Sequence, residues 1–71
     1  VTAADTFKAC SQADREAPIM ALEREARSLT AKALACQDHG ADAIADITMG
    51  QCSAVVAALD VLRELHKEGA R

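Results

Sequence analysis

From Ala41 to Glu68 the chain has no proline and one internal glycine, and its apolar residues recur three and four positions apart. That spacing follows one face of an α-helix and breaks the strict alternation of a half-buried strand. It predicts a helix over residues 41–68, roughly 42 Å long at about 1.5 Å per residue. Two apolar stripes run along it. One is Ile44, Ile47, Gln51, Ala54, Ala58, Val61 and Leu65; beside it lies Ala45, Thr48, Cys52, Val55, Leu59, Leu62 and His66. One antiparallel helix covers one stripe, so the other must meet a further helix or a second molecule.

A preceding helix is expected over residues 17–38. Pro18 disfavours helical geometry at Ala17 and suits a first helical position, so the helix is expected to begin there. Ile19, Leu22, Ala26, Leu29, Ala33 and Cys36 then step three, four, three, four, three, a seam of the coiled-coil kind, and Gly40 marks its stop. The turn at His39 and Gly40 is short enough to make an antiparallel hairpin of the two long helices. Upstream, Thr2 and Asp5 carry the spacing of a capping box, which places a short helix over residues 3–11 with Ala3, Phe7 and Cys10 on its inner face. The fold class is therefore all-α: a three-helix unit within one domain, residues 1–71, completed as a four-helix-type bundle by self-association or by a partner.

Gly50 is the one threat to the long helix, because an internal glycine costs about 1 kcal/mol relative to alanine. A break there is the alternative. The stripe nevertheless keeps its phase across Gly50, and Ala43, Gly50 and Ala57 lie seven apart on one edge with Ala54 beside them. Small residues in line predict a close helix crossing near Gly50.

Composition explains why a partner is expected. The hydrophobic share is 51%, but 17 of those residues are alanine and Phe7 is the only aromatic, so large core-forming side chains are scarce. Net charge is −3, and the eight Lys and Arg form no basic run, which gives no support to phosphate or nucleic acid binding. No uninterrupted apolar run approaches a membrane span and no signal segment opens the chain, so a soluble protein with no membrane partner is expected. Val1 is compatible with a removed initiator Met, a cleaved leader or a boundary within a longer chain. Three cysteines leave at least one unpaired, which fits a reducing cytoplasm better than a secreted disulfide scaffold.

Cys10, Cys36, Cys52, His39, His66, Met20 and Met49 are soft or borderline metal ligands. Their spacing does not assemble a site. In a hairpin turning near residue 40, Cys36 lies level with Ile44, leaving Cys52 roughly 12 Å further along the axis, too far for one metal or a disulfide. Asp38, Asp42 and Asp46 step by four near the turn, where acidic groups complement a helix N-terminus. Ser11, Ser28 and Ser53 lack a nucleophile-elbow setting and there is no glycine-rich phosphate loop. No catalytic residue, cofactor or metal is assigned.

The leading expectation is a non-enzymatic interaction or oligomerisation module, a dimer or a partner-bound hairpin, with Met20, Leu34, Met49, Gly50, Val56 and Ala57 at the interface. A second reading is a helix-turn-helix regulator, since residues 49–59 loosely follow that motif's apolar spacing with a turn at Gly50. The expected recognition helix, however, presents Ala54, Val55, Val56, Ala57 and Ala58 where base-reading side chains are needed. A third is metal or redox binding by the Cys, His and Met set across an interface.

Overall fold

The computed structural model describes residues 1–70 and contains three helices: α1 (Ala3–Ala9), α2 (Gln12–Asp38) and α3 (Asp42–Gly69). α2 and α3 form the antiparallel hairpin, and α1 packs against α3. Each boundary has a local cause.

Thr2 caps α1 through the reciprocal bonds of a capping box: the Asp5 backbone N–H donates to Thr2 Oγ1 (3.1 Å) and the Thr2 N–H donates to Asp5 Oδ2 (3.3 Å). The bond from the Thr2 backbone N–H holds the Asp5 carboxyl below its ordinary range. α1 ends at Ala9, two residues short of the expected end, because Cys10 turns to extended backbone as its C-cap. Ala3 is exposed, and the inner face is made by Ala4, Phe7 and Cys10 instead.

α2 starts at Gln12, five residues before the position expected from Pro18. Ser11 supplies the cap, its hydroxyl accepting from the Asp14 N–H at 3.2 Å. Pro18 therefore sits in the seventh position, where its missing N–H forfeits one bond, to the Asp14 carbonyl. The Ser11 cap and the tertiary bonds of Arg15 described below outweigh that loss. At the other end Gly40 takes φ +77°, the left-handed conformation that favours glycine. The Gly40 N–H donates to the Gln37 carbonyl (3.0 Å) and the Ala41 N–H to the Cys36 carbonyl (2.8 Å), the two bonds of a Schellman motif. α3 follows at once.

α3 passes through Gly50 unbroken, and its second stripe packs on the α2 seam. The core is narrow: Ile19, Ala33, Ala45, Cys52 and Leu59 are buried, together with Thr48 and Arg15. Ala33 and Ala45 let the helices approach closely beside the turn. Thr48 satisfies its hydroxyl by donating to the Ile44 carbonyl at 2.8 Å. Cys52 lies 3.3 Å from Thr30 Oγ1, in the register that separates it from Cys36, and all three cysteines are free.

Two expectations need correction. The close crossing near Gly50 does not occur within this chain, because nothing lies within 4 Å of where a Gly50 Cβ would stand. And α3 is long and apolar enough, by length and composition, to cross a membrane, with only 22% of its most apolar stretch buried. Asp46 and Asp60 interrupt that stretch and bound an uncharged segment, residues 47–59, of roughly 20 Å. That segment is shorter than the roughly 30 Å hydrocarbon layer.

Candidate functional site

The surface that stands out is the flank of α3 carrying the first stripe. Burial of Ala45, Thr48, Cys52 and Leu59 fixes which side of α3 meets α2. At 100° per residue, the first stripe lies about a quarter turn away, and Ala43, Gly50 and Ala57 face outward beyond it. α1 reaches only the C-terminal end of this flank, where Leu65 is half-buried. The rest is open: Ile47 is 65% exposed, Val61 59% and Ile44 52%, with Gly50, Gln51, Ala54, Ala57 and Ala58 exposed between them.

At the covered end, α1 is held by a device the residue pattern gave no sign of. Arg15, charged yet 6% exposed, points its guanidinium at the end of α1, where Nη1 donates to the Lys8 and Cys10 carbonyls. A cation there meets the helix's unpaired carbonyls and the negative end of its dipole. Arg15 Nε donates to His66 Nδ1 at 3.2 Å, which places the imidazole proton on Nε2, 3.9 Å from Glu16 Oε1. A Gly69 Cβ would stand 3.0 Å from the Lys8 carbonyl oxygen and 3.3 Å from the Arg15 side chain, so α1 closes on α3 only where α3 has no side chain. The exposed Lys8–Glu68 pair (3.6 Å) adds a weak surface contact.

The six residues expected at an interface are all exposed, but they do not form one patch. Leu34 and Val56 line a shallow cleft of about 370 Å3 between α2 and α3, floored by Cys52 and Ala26. Met20 lines a separate cleft of about 390 Å3 at the α1 end, walled by Glu16, Glu23, Arg63 and His66. Arg63 and Glu23 pair across that cleft at 3.9 Å. Met49 falls on the same side of α3 as Val56, seven residues away. Gly50 and Ala57 lie instead on the outward face with Ile47 and Val61. The missed members, Ile44, Ile47 and Val61, belong to a stripe the sequence displays; what spacing alone leaves open is which stripe α2 covers.

The other chemistries find less to work with. Residues 49–59 lie in the middle of α3, so the turn a helix-turn-helix needs is not formed. Among the described residues, no three His, Cys, Asp or Glu side chains come close enough together to hold a metal ion. Cys10 donates its thiol to the Thr6 carbonyl at 3.3 Å.

Fold and surface together define a class, an all-α hairpin with a short docked arm and one uncovered apolar helix flank. Comparison with protein-family models, curated proteins and solved structures gave no match.

Proposed function

We propose that this chain is a non-catalytic helical interaction module that works by docking the uncovered flank of α3 on another helical surface. The observation that carries this reading is the open stripe of Ile44, Ile47 and Val61, each more than half exposed on a chain whose own core is narrow. Scattered apolar residues are ordinary on protein surfaces, but aligned ones along a single helix flank mark contact sites. Burial of apolar area is worth about 25 cal/mol per Å2, so covering this flank adds to stability as well as to affinity.

Sedimentation velocity across a hundredfold range of concentration, with and without reductant, tests the reading. A mass rising from 7.5 kDa toward its double or beyond, unchanged by reductant, is the expected result. The companion variant Ile47→Glu places a charge on the flank and is expected to keep its helicity while losing the association. Association that survives Ile47→Glu contradicts docking through this flank.

A further inference from the structure

The hold on α1 passes through a bond that one histidine can make in only one of its two charge states. Arg15, nearly buried, donates from Nη1 to the Lys8 and Cys10 carbonyls at the end of α1. Its Nε–H is taken up by His66, donating to Nδ1 at 3.2 Å. An arginine has donors only and stays charged, so this Nδ1 is the unprotonated nitrogen of a neutral ring. Protonation puts a second N–H at the same place. Two donors and two positive charges then face each other where little water reaches Arg15 to screen them.

The other charges around the ring offer it one alternative partner. On α2, Glu16 Oε1 stands 3.9 Å from Nε2 and otherwise accepts only from Gln12. The rest are paired: Glu23 with Arg63 across the cleft, Lys67 with Glu64, and Lys8 of α1 with Glu68 and Asp5. Glu16 and His66 both line the open cleft, which Arg15 does not. The attraction of Glu16 for a charged ring is present whether or not α1 is docked, since both residues belong to the hairpin. Arg15 is kept at the ring by the two α1 carbonyls, so its contact is the one that couples the charge of His66 to docking.

We infer that His66 is a pH-operated latch on α1: neutral, it completes the Arg15 network and α1 stays docked; protonated, it gives up Arg15 for Glu16 and α1 is released. The bond belongs to the neutral ring, so docking is complete above the range of about pH 5–8 where histidine ordinarily changes charge and is lost as pH falls through it. Release bares Leu65, at the end of the α3 flank that α1 covers, and lengthens the open apolar stripe. The latch does not depend on what the flank docks against.

Amide exchange at about pH 7.5 and about pH 5.5, expressed as protection factors so that the intrinsic pH dependence divides out, tests the latch. Ordinary carboxylates stay ionised throughout this window, and Asp5, which caps α1, is held below its usual range by the Thr2 N–H, so the cap itself does not titrate. The amides of Phe7, Lys8 and Ala9 are expected to lose on the order of tenfold in protection at the lower pH while those in the middle of the hairpin keep theirs. His66→Gln offers Arg15 a side-chain oxygen that does not titrate, and is expected to keep α1 equally protected at both pH values. His39→Gln, at the exposed hairpin turn, is expected to behave like the unaltered chain. Equal α1 protection at the two pH values, an equal loss throughout the hairpin, or a loss that persists in His66→Gln each overturns the inference. Should His66→Gln fail to fold, or α1 exchange too fast to follow, the ring 15N shifts of the unaltered chain decide. A bare Nδ1 at the higher pH, gaining its proton together with a shift of the Lys8 and Cys10 resonances, is expected; a proton on Nδ1 at the higher pH, or a titration those resonances do not follow, overturns it.

Discussion

At the scale of single residues, Arg15 ties all three helices together, bonding α1 carbonyls and a histidine of α3 from the first turns of α2. Hydrogen bonds from a charged donor are worth about 1.5–3 kcal/mol each, shared here among partners that retain other contacts. Arg15→Ala is expected to cost about 2–3 kcal/mol in urea unfolding, with the loosening of α1 visible as faster amide exchange in that helix. The glycines separate by the same logic. Gly50→Ala meets nothing and gains up to about 1 kcal/mol of helix propensity in the monomer. Gly69→Ala brings a methyl to 3.0 Å from the Lys8 carbonyl oxygen and 3.3 Å from the Arg15 side chain, tighter than ordinary contact, and is expected to loosen the α1 docking with little propensity gain at the last residue of α3. Thermal melts of the two variants, measured at a concentration where the chain is monomeric, are expected to shift in opposite directions. Arg15 was hidden in the sequence because a lone arginine in a polar stretch looks solvated; its burial comes from the end of α1 folding back over it.

At the scale of elements, the hairpin was legible because its signals agree. The three-four seam of α2, the Gly40 stop and the second stripe of α3 each describe the same antiparallel pair, and burial of Ile19, Ala33, Cys52 and Leu59 follows that seam. The start of α2 was misread because two local signals compete. Ser11 is a cap three residues before Asp14, while Pro18 marks a start that tertiary contacts at Arg15 override. Pro18 is thus a tolerated defect within the helix. Pro18→Ala restores the N–H for the Asp14 carbonyl and is expected to raise stability by about 1–3 kcal/mol, read as a higher urea midpoint at unchanged m-value. A fall in midpoint would show that the half-buried ring contributes packing that outweighs the bond.

At the scale of the whole molecule, alanine richness has two consequences. It makes continuous helix cheap to form, and it leaves a hairpin whose buried apolar set is small for its length. The surplus of apolar side chains sits outside, on the α3 flank, where α1 covers one end. Spacing displayed both stripes but not which one the chain would cover itself, since that depends on how the Schellman turn rotates α3 against α2.

The central claim is that covering this flank is part of the protein's stability. The most direct test is the thermal midpoint as a function of protein concentration, followed by circular dichroism. Because a ligand that binds only the folded state stabilises it by mass action, a copy that covers the flank makes the midpoint rise steadily with concentration. A cooperative melt at the same midpoint across a hundredfold range would contradict the account, showing a chain that completes its fold alone.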